Sequence, residues 1–161
     1  MSKEMARDSV NAQLLRSAKQ KVKVNRTELV QRIERALPKD GSVEPLEGLR
    51  LNRASSPTEL AHGVSDPAFC VIAQGCKEVF LGNDRYRYDP MHYLLATAEL
   101  PIVTHVIEAS PERPYLSLSV KLESTLVGSV MAATGQFPQR THANVRAMDV
   151  SPLDAELLDA I

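Results

Sequence analysis

The apolar positions of this chain change their period twice along its length. Leu29, Val30, Ile33 and Leu37 recur at helical spacing behind Thr27 and Glu28, a helix-starting residue and an acidic first turn, and Pro38 stops the run. The spacing predicts a short amphipathic helix capped at Thr27. Val10, Leu14, Leu15 and Ala18 share that spacing, but the polar run KQKVKVNR follows them. Residues 1–26 therefore read as a basic helical or partly mobile arm.

From Leu49 the period becomes two. Leu49 and Leu51 alternate with Arg50 and Asn52, Phe69 to Ala73 form a compact apolar run, and Tyr115 to Leu122 alternate over eight residues. Between Val79-Phe80-Leu81 and Arg85-Tyr86-Arg87-Tyr88, the Gly82-Asn83-Asp84 segment supplies residues suited to a tight hairpin. Another strand follows Pro101, from Ile102 to Glu108. Short strands joined by turns, with no long helical pattern between them, predict an antiparallel sandwich or barrel.

Helical spacing then returns. Leu122, Leu126, Val127, Val130 and Met131 form one stripe, and Gly135 sits where a helix ends. Ser151-Pro152-Leu153-Asp154 reads as a cap, a proline at the first helical position and an acidic residue, opening a helix whose apolar face is Leu153, Leu157, Leu158 and Ile161. With no capping signal after it, residues 136–161 are expected to be a linker and the start of a helix continuing into a longer protein. The alternative is a short helix folded back onto the strands. The expected class is mainly β with flanking helices.

A length of 161 residues suits one core, and 43% apolar with 24% charged residues is ordinary for a globular chain. No apolar run is long enough to span a membrane, and no secretory leader is visible, so a cytoplasmic location is expected. The net charge of −1 conceals a basic first forty residues and an acidic remainder. Those basic residues lie along a helical pattern without aromatics, which favours a solvated helix face over a nucleic-acid contact.

The chain offers little local chemistry. His62, His92, His105 and His142 are too scattered for a metal motif, and Cys70 and Cys76 are too few for a disulfide framework or a cysteine-based zinc site. On one extended strand the two sulfurs would sit roughly 20 Å apart, too far for a mutual bridge. There is no phosphate loop, nucleophile elbow or helix-turn-helix pattern. No catalytic residue, metal or cofactor is expected. Alternation places His105 with Val103 and Ile107, and His92 with Leu94, on faces expected to be dry. Such histidines are either hydrogen-bonded within the core or, if the barrel is hollow, directed at a ligand.

Several motifs in order carry a resemblance: Phe69-Cys70-Val71-Ile72-Ala73-Gln74-Gly75-Cys76-Lys77, Leu81-Gly82, Tyr86-Arg87-Tyr88-Asp89-Pro90 with Tyr93-Leu94, Leu100-Pro101, and Glu108-Ala109-Ser110-Pro111-Glu112 with Pro114-Tyr115. Across residues 27–135 the chain resembles the N-terminal domain of AraC-type bacterial transcription regulators. The resemblance implies a cupin-like antiparallel β-barrel, or double-stranded β-helix, that senses a small effector or mediates dimerisation. It also implies a DNA-binding half, with two helix-turn-helix motifs, beyond this chain. The alternatives to an effector sensor are a metal-dependent cupin enzyme and a purely structural dimerisation module without effector. Homodimerisation is expected, and no membrane partner. Cys76 stands where relatives usually carry a basic residue, leaving a thiol open to redox chemistry. Strand alternation nominates His92, Tyr93, His105 and Tyr115 as effector-binding positions.

Overall fold

The computed structural model describes the backbone of residues 2–135 and 146–161 and the side chains of residues 11–135 and 146–161. One helix, α1 (Ser2–Ala36), precedes nine strands: β1 (Gly41–Leu46), β2 (Leu49–Ala54), β3 (Ala61–Ser65), β4 (Ala68–Gln74), β5 (Cys76–Leu81), β6 (Asp84–Tyr88), β7 (His92–Ala96), β8 (Leu100–Glu108) and β9 (Tyr115–Lys121). Helix α2 (Ser124–Thr134), strand β10 (Met148–Pro152) and the short helix α3 (Ala155–Asp159) follow. His142 lies outside the described residues.

The strands form two antiparallel sheets, ordered β1-β2-β9-β4-β7-β10 and β3-β8-β5-β6. They face each other across a shared core containing Ile72, Val79, Leu94, Val106 and Met148. The expected mainly β architecture with flanking helices is therefore present, as two stacked sheets with no hydrogen-bonded closure into a barrel.

Alternation on the larger sheet separates two dry faces. Val71, Ala73, Leu116 and Leu118 pack beneath α1 with Ile33, while Ile72 and Tyr115 turn toward the smaller sheet. Leu116 is fully buried and Ile33 retains 2% exposure, so the centre of the molecule is a helix laid on strands β4 and β9. Full burial of a side chain of that size contributes about 1.5–3 kcal/mol.

Three elements differ from expectation. Thr27 does not start a helix: its Oγ1 donates to the Lys23 carbonyl at 2.9 Å within one continuous α1. A threonine hydroxyl satisfied by the preceding turn leaves the helical backbone intact, so nothing interrupts the chain there. Ser151 and Pro152 belong to β10, paired with Tyr93 and His92 of β7, and the cap of α3 falls on Asp154, whose carboxylate accepts from the Leu157 amide at 2.8 Å. The apolar face expected to await a partner is covered in part, since Leu153 and Leu158 join the core under α1. Lys21 and Asn25 of α1 both donate to the Asp159 carboxylate, fastening α3 in place.

Other expectations hold. The β5–β6 hairpin turns at Gly82-Asn83, with Gly82 at φ 58°, and α2 ends at Gly135 in the left-handed conformation.

Candidate functional site

The sheets do not pack completely. Where they face each other the larger sheet presents small side chains, Cys70, Ser117 and Ser119, opposite Lys77, Thr104 and Ile102, leaving a cavity of about 270 Å³. Strand register orders its lining. Cys70 pairs with Ser119 of β9 and Leu94 of β7, so a thiol, a hydroxyl and an apolar side chain share one rung. Lys77 pairs with Tyr88 and Val106 on the smaller sheet.

Desolvation is the main electrostatic feature of this space. Burial lowers the Lys77 pKa, and only the nearby Cys70 acts against it. Burial likewise raises the Cys70 thiol, with Lys77 partly opposing. At neutral pH Cys70 is therefore a protonated thiol and a weak nucleophile. The phenols of Tyr88 and Tyr115 are also raised by burial, the Ser117 hydrogen bond partly opposing at Tyr115. No carboxylate is among the groups that act on the Lys77 amine, and the thiol beside it is neutral.

The four residues nominated from alternation do not come together. His92 lies at the start of β7 with Nδ1 2.9 Å from Asp89 Oδ1, at a half-exposed turn. Tyr93 is on the helix-facing side, its ring 5.2 Å from that of Phe69. Tyr115 does face the inter-sheet core, where it is buried. His105 points away from that core, against expectation: Ile102 and Val106 supply the inward face of β8, and His105 Nε2 lies 2.9 Å from Glu78 Oε2 on the outer face. None of the four lines the cavity.

Lys77, Thr104, Ser117 and Ser119 were not singled out by sequence reasoning, and Cys70 was weighed there only as a disulfide or zinc ligand. One signal was present: Lys77 shares strand parity with Val79 and Leu81, which places a cation in an otherwise apolar row.

On the outer face, Glu78 accepts from the Arg85 guanidinium and pairs with His105. These hydrogen bonds, Arg85 first and His105 second, hold its carboxyl below the usual range. Cys76, which the sequence left open to redox chemistry, is buried. Its Sγ donates to the Tyr88 carbonyl at 3.2 Å and accepts from Arg87 Nε at 3.4 Å. Burial raises its pKa despite Arg87, which disfavours the reactive thiolate. Both cysteines are free. No three His, Cys, Asp or Glu side chains group as a metal site among the described residues.

A family model described as the AraC-type transcriptional regulator N-terminus matches residues 45–161. The chain belongs to this family. Within the AraC-type N-terminal domain, the match takes in every strand from β2 to β10 and both later helices, and so all of the cavity lining except Glu44. Among solved structures, apo ToxT K231A from Vibrio cholerae strain SCE256 is similar at 8% identity and a TM-score of 0.48, covering 76% of this chain. The chain spans 46% of that one. No curated protein matches. Among the described residues no helix is long and apolar enough to cross a membrane.

Proposed function

We propose that this domain senses a small-molecule effector in the cavity between its two sheets and passes the occupied state to the DNA-binding half of a complete AraC-type regulator. The observation that carries this reading is the cavity itself, set between strands that the family match covers and lined by both polar and apolar side chains. A core evolved only for packing would fill that volume, because interiors are normally close-packed. The role is binding and not catalysis, in keeping with a cavity thiol held protonated by burial. A cytoplasmic location follows from the same reading, since a regulator must reach DNA.

In this reading residues 27–135 form the regulatory unit, 1–26 an extension of its first helix, and 136–161 the lead toward the DNA-binding half, with β10 and α3 docked on the unit they leave. An effector can shift the flanking helices only by as much as its affinity differs between their arrangements.

The domain also pairs with a second copy through α2. Leu126, Val127 and Val130 are exposed on that helix, and an apolar groove runs from Leu126 to Leu46 and Val120 of the larger sheet. Closed two-fold pairing is a common way to remove such a surface from water.

The sensing role is tested by filling the cavity. Ser119→Phe places a ring in the gap, and in a reporter assay of the complete regulator the folded variant should hold one fixed output regardless of inducer. A variant that folds normally and still responds fully would overturn the sensing role.

A further inference from the structure

We propose that the inter-sheet cavity takes a small monocarboxylate, with its negative group at the Lys77 amine and its apolar body against Val79, Leu94 and Ile102. This rests on the sensing role and specifies the ligand's chemistry.

The argument begins with what a lysine does in such a place. An ammonium removed from water is costly unless an anion or several acceptors replace the lost solvent. Lys77 is half-buried at the cavity lining, burial lowers its pKa, and the Cys70 thiol near it is neutral. The charged residues at the cavity lining that carry opposite sign, Glu44 and Asp66, are exposed and do not act on the amine. The amine thus faces a space and lacks a counter-charge.

The surroundings select among anions. Ser119 lies on the same rung as Cys70 and lines the same cavity as Lys77, so a hydroxyl donor shares that space. Arg50 and Lys121 also line the cavity but are exposed, as Glu44 and Asp66 are, so Lys77 is the one cation of the lining withdrawn from the surface. With neutral donors around it that cation balances one negative charge, whereas a phosphate monoester would bring nearly two. Val79, Leu94, Ala96, Ile102 and Met148 give the lining an apolar part, beside the neutral polar groups of Asn52, Thr104 and Ser117. A cavity of about 270 Å³ falls just under the volumes that hold drug-sized ligands. A short aliphatic or single-ring acid satisfies both size and polarity.

The test uses the complete 161-residue chain and matched probes: butyrate, hexanoate and benzoate against butyramide, hexanamide and benzamide, titrated by calorimetry and ligand-observed NMR. At least one acid should bind about tenfold or more tightly than its amide, as expected for a hydrogen bond to a charged group. Lys77→Met should erase that preference while keeping or raising the melting temperature, because an unpaired amine has been removed. Lys77→Gln serves as the second variant should the Met protein not fold. Amides binding as well as their acids, or an acid preference that survives loss of Lys77, would overturn the carboxylate assignment and leave the sensing role standing. If neither series binds at millimolar concentration while Ser119→Phe leaves the regulator responsive, the assignment and the sensing role both fall.

Discussion

His105 Nε2 and Glu78 Oε2 are 2.9 Å apart on the outer face of the smaller sheet, where β8 and β5 place the two residues directly opposite each other. This pair, with Arg85 on the same carboxylate, ties three strands together from outside the core.

The carboxyl of Glu78 titrates below its ordinary value in the folded chain, so the folded state binds fewer protons than the unfolded one near that range. Its contribution to stability is present above about pH 4.5 and is lost as pH falls through the folded value. Glu78→Gln should therefore flatten the decline in melting temperature between about pH 5 and 3 relative to the parent protein. Parallel declines in circular-dichroism melts would refute the linkage. His105→Leu should lower the melting point by a few degrees at pH 7 without changing carboxylate affinity, since the histidine does not line the cavity.

Ile33 anchors α1 to the sheet, whereas Leu14 and Leu15 on the same helix are 63% and 62% exposed. Ile33→Ala should cost about 2–5 kcal/mol, through lost transfer energy and the cavity left behind. Leu14→Ala should change stability by less than about 0.5 kcal/mol. Chemical denaturation followed by far-ultraviolet circular dichroism measures both, and equal losses would mean that the helix docks along its whole length.

The strands were legible where one face is apolar and the other is not, as in Tyr115 to Lys121, with turn residues at Gly82 marking the hairpin. Strand β8 defeated that logic because Ile102 and Val106 on one face are matched by Val103 and Ile107 on the other. Alternation then cannot choose a side, and His105 was assigned inward. Pro45 and Pro152 disguised β1 and β10, which are the two edge strands of the larger sheet, the position where a missing N–H costs little. The candidate site was hidden for a different reason. Lys77 follows a bulge between Cys76 and Lys77, and its surroundings come from the opposing sheet, through long-range contacts that no local pattern encodes.

Gly75 joins β4 to β5 at φ 88°, and a Cβ built there would stand 2.5 Å from the Glu108 carbonyl oxygen. Both strain and a backbone clash oppose any side chain. Gly75→Ala should cost at least about 1–3 kcal/mol. Gly63, in β3, has open space around it, and Gly63→Ala should be neutral or stabilising by up to about 1 kcal/mol. Denaturant midpoints separate the two, and a harmless Gly75→Ala would show that the β4–β5 corner can shift away from Glu108.

Helix α2 buries none of its eleven residues among the described contacts, although Leu126, Val127 and Val130 make one side of it apolar. Pairing through α2 should therefore be sensitive to charge placed on that side and insensitive to charge elsewhere. Leu126→Asp with Val130→Asp is expected to shift the protein from dimer to monomer in sedimentation equilibrium at tens of micromolar. The melting temperature of the monomer should stay close to that of the parent at low concentration, because neither side chain contributes to either core cluster. Leu14→Asp, on the exposed part of α1, should leave the dimer intact. A parent protein that sediments as a monomer at these concentrations, or a dimer that survives both aspartates, would rule out pairing through this helix.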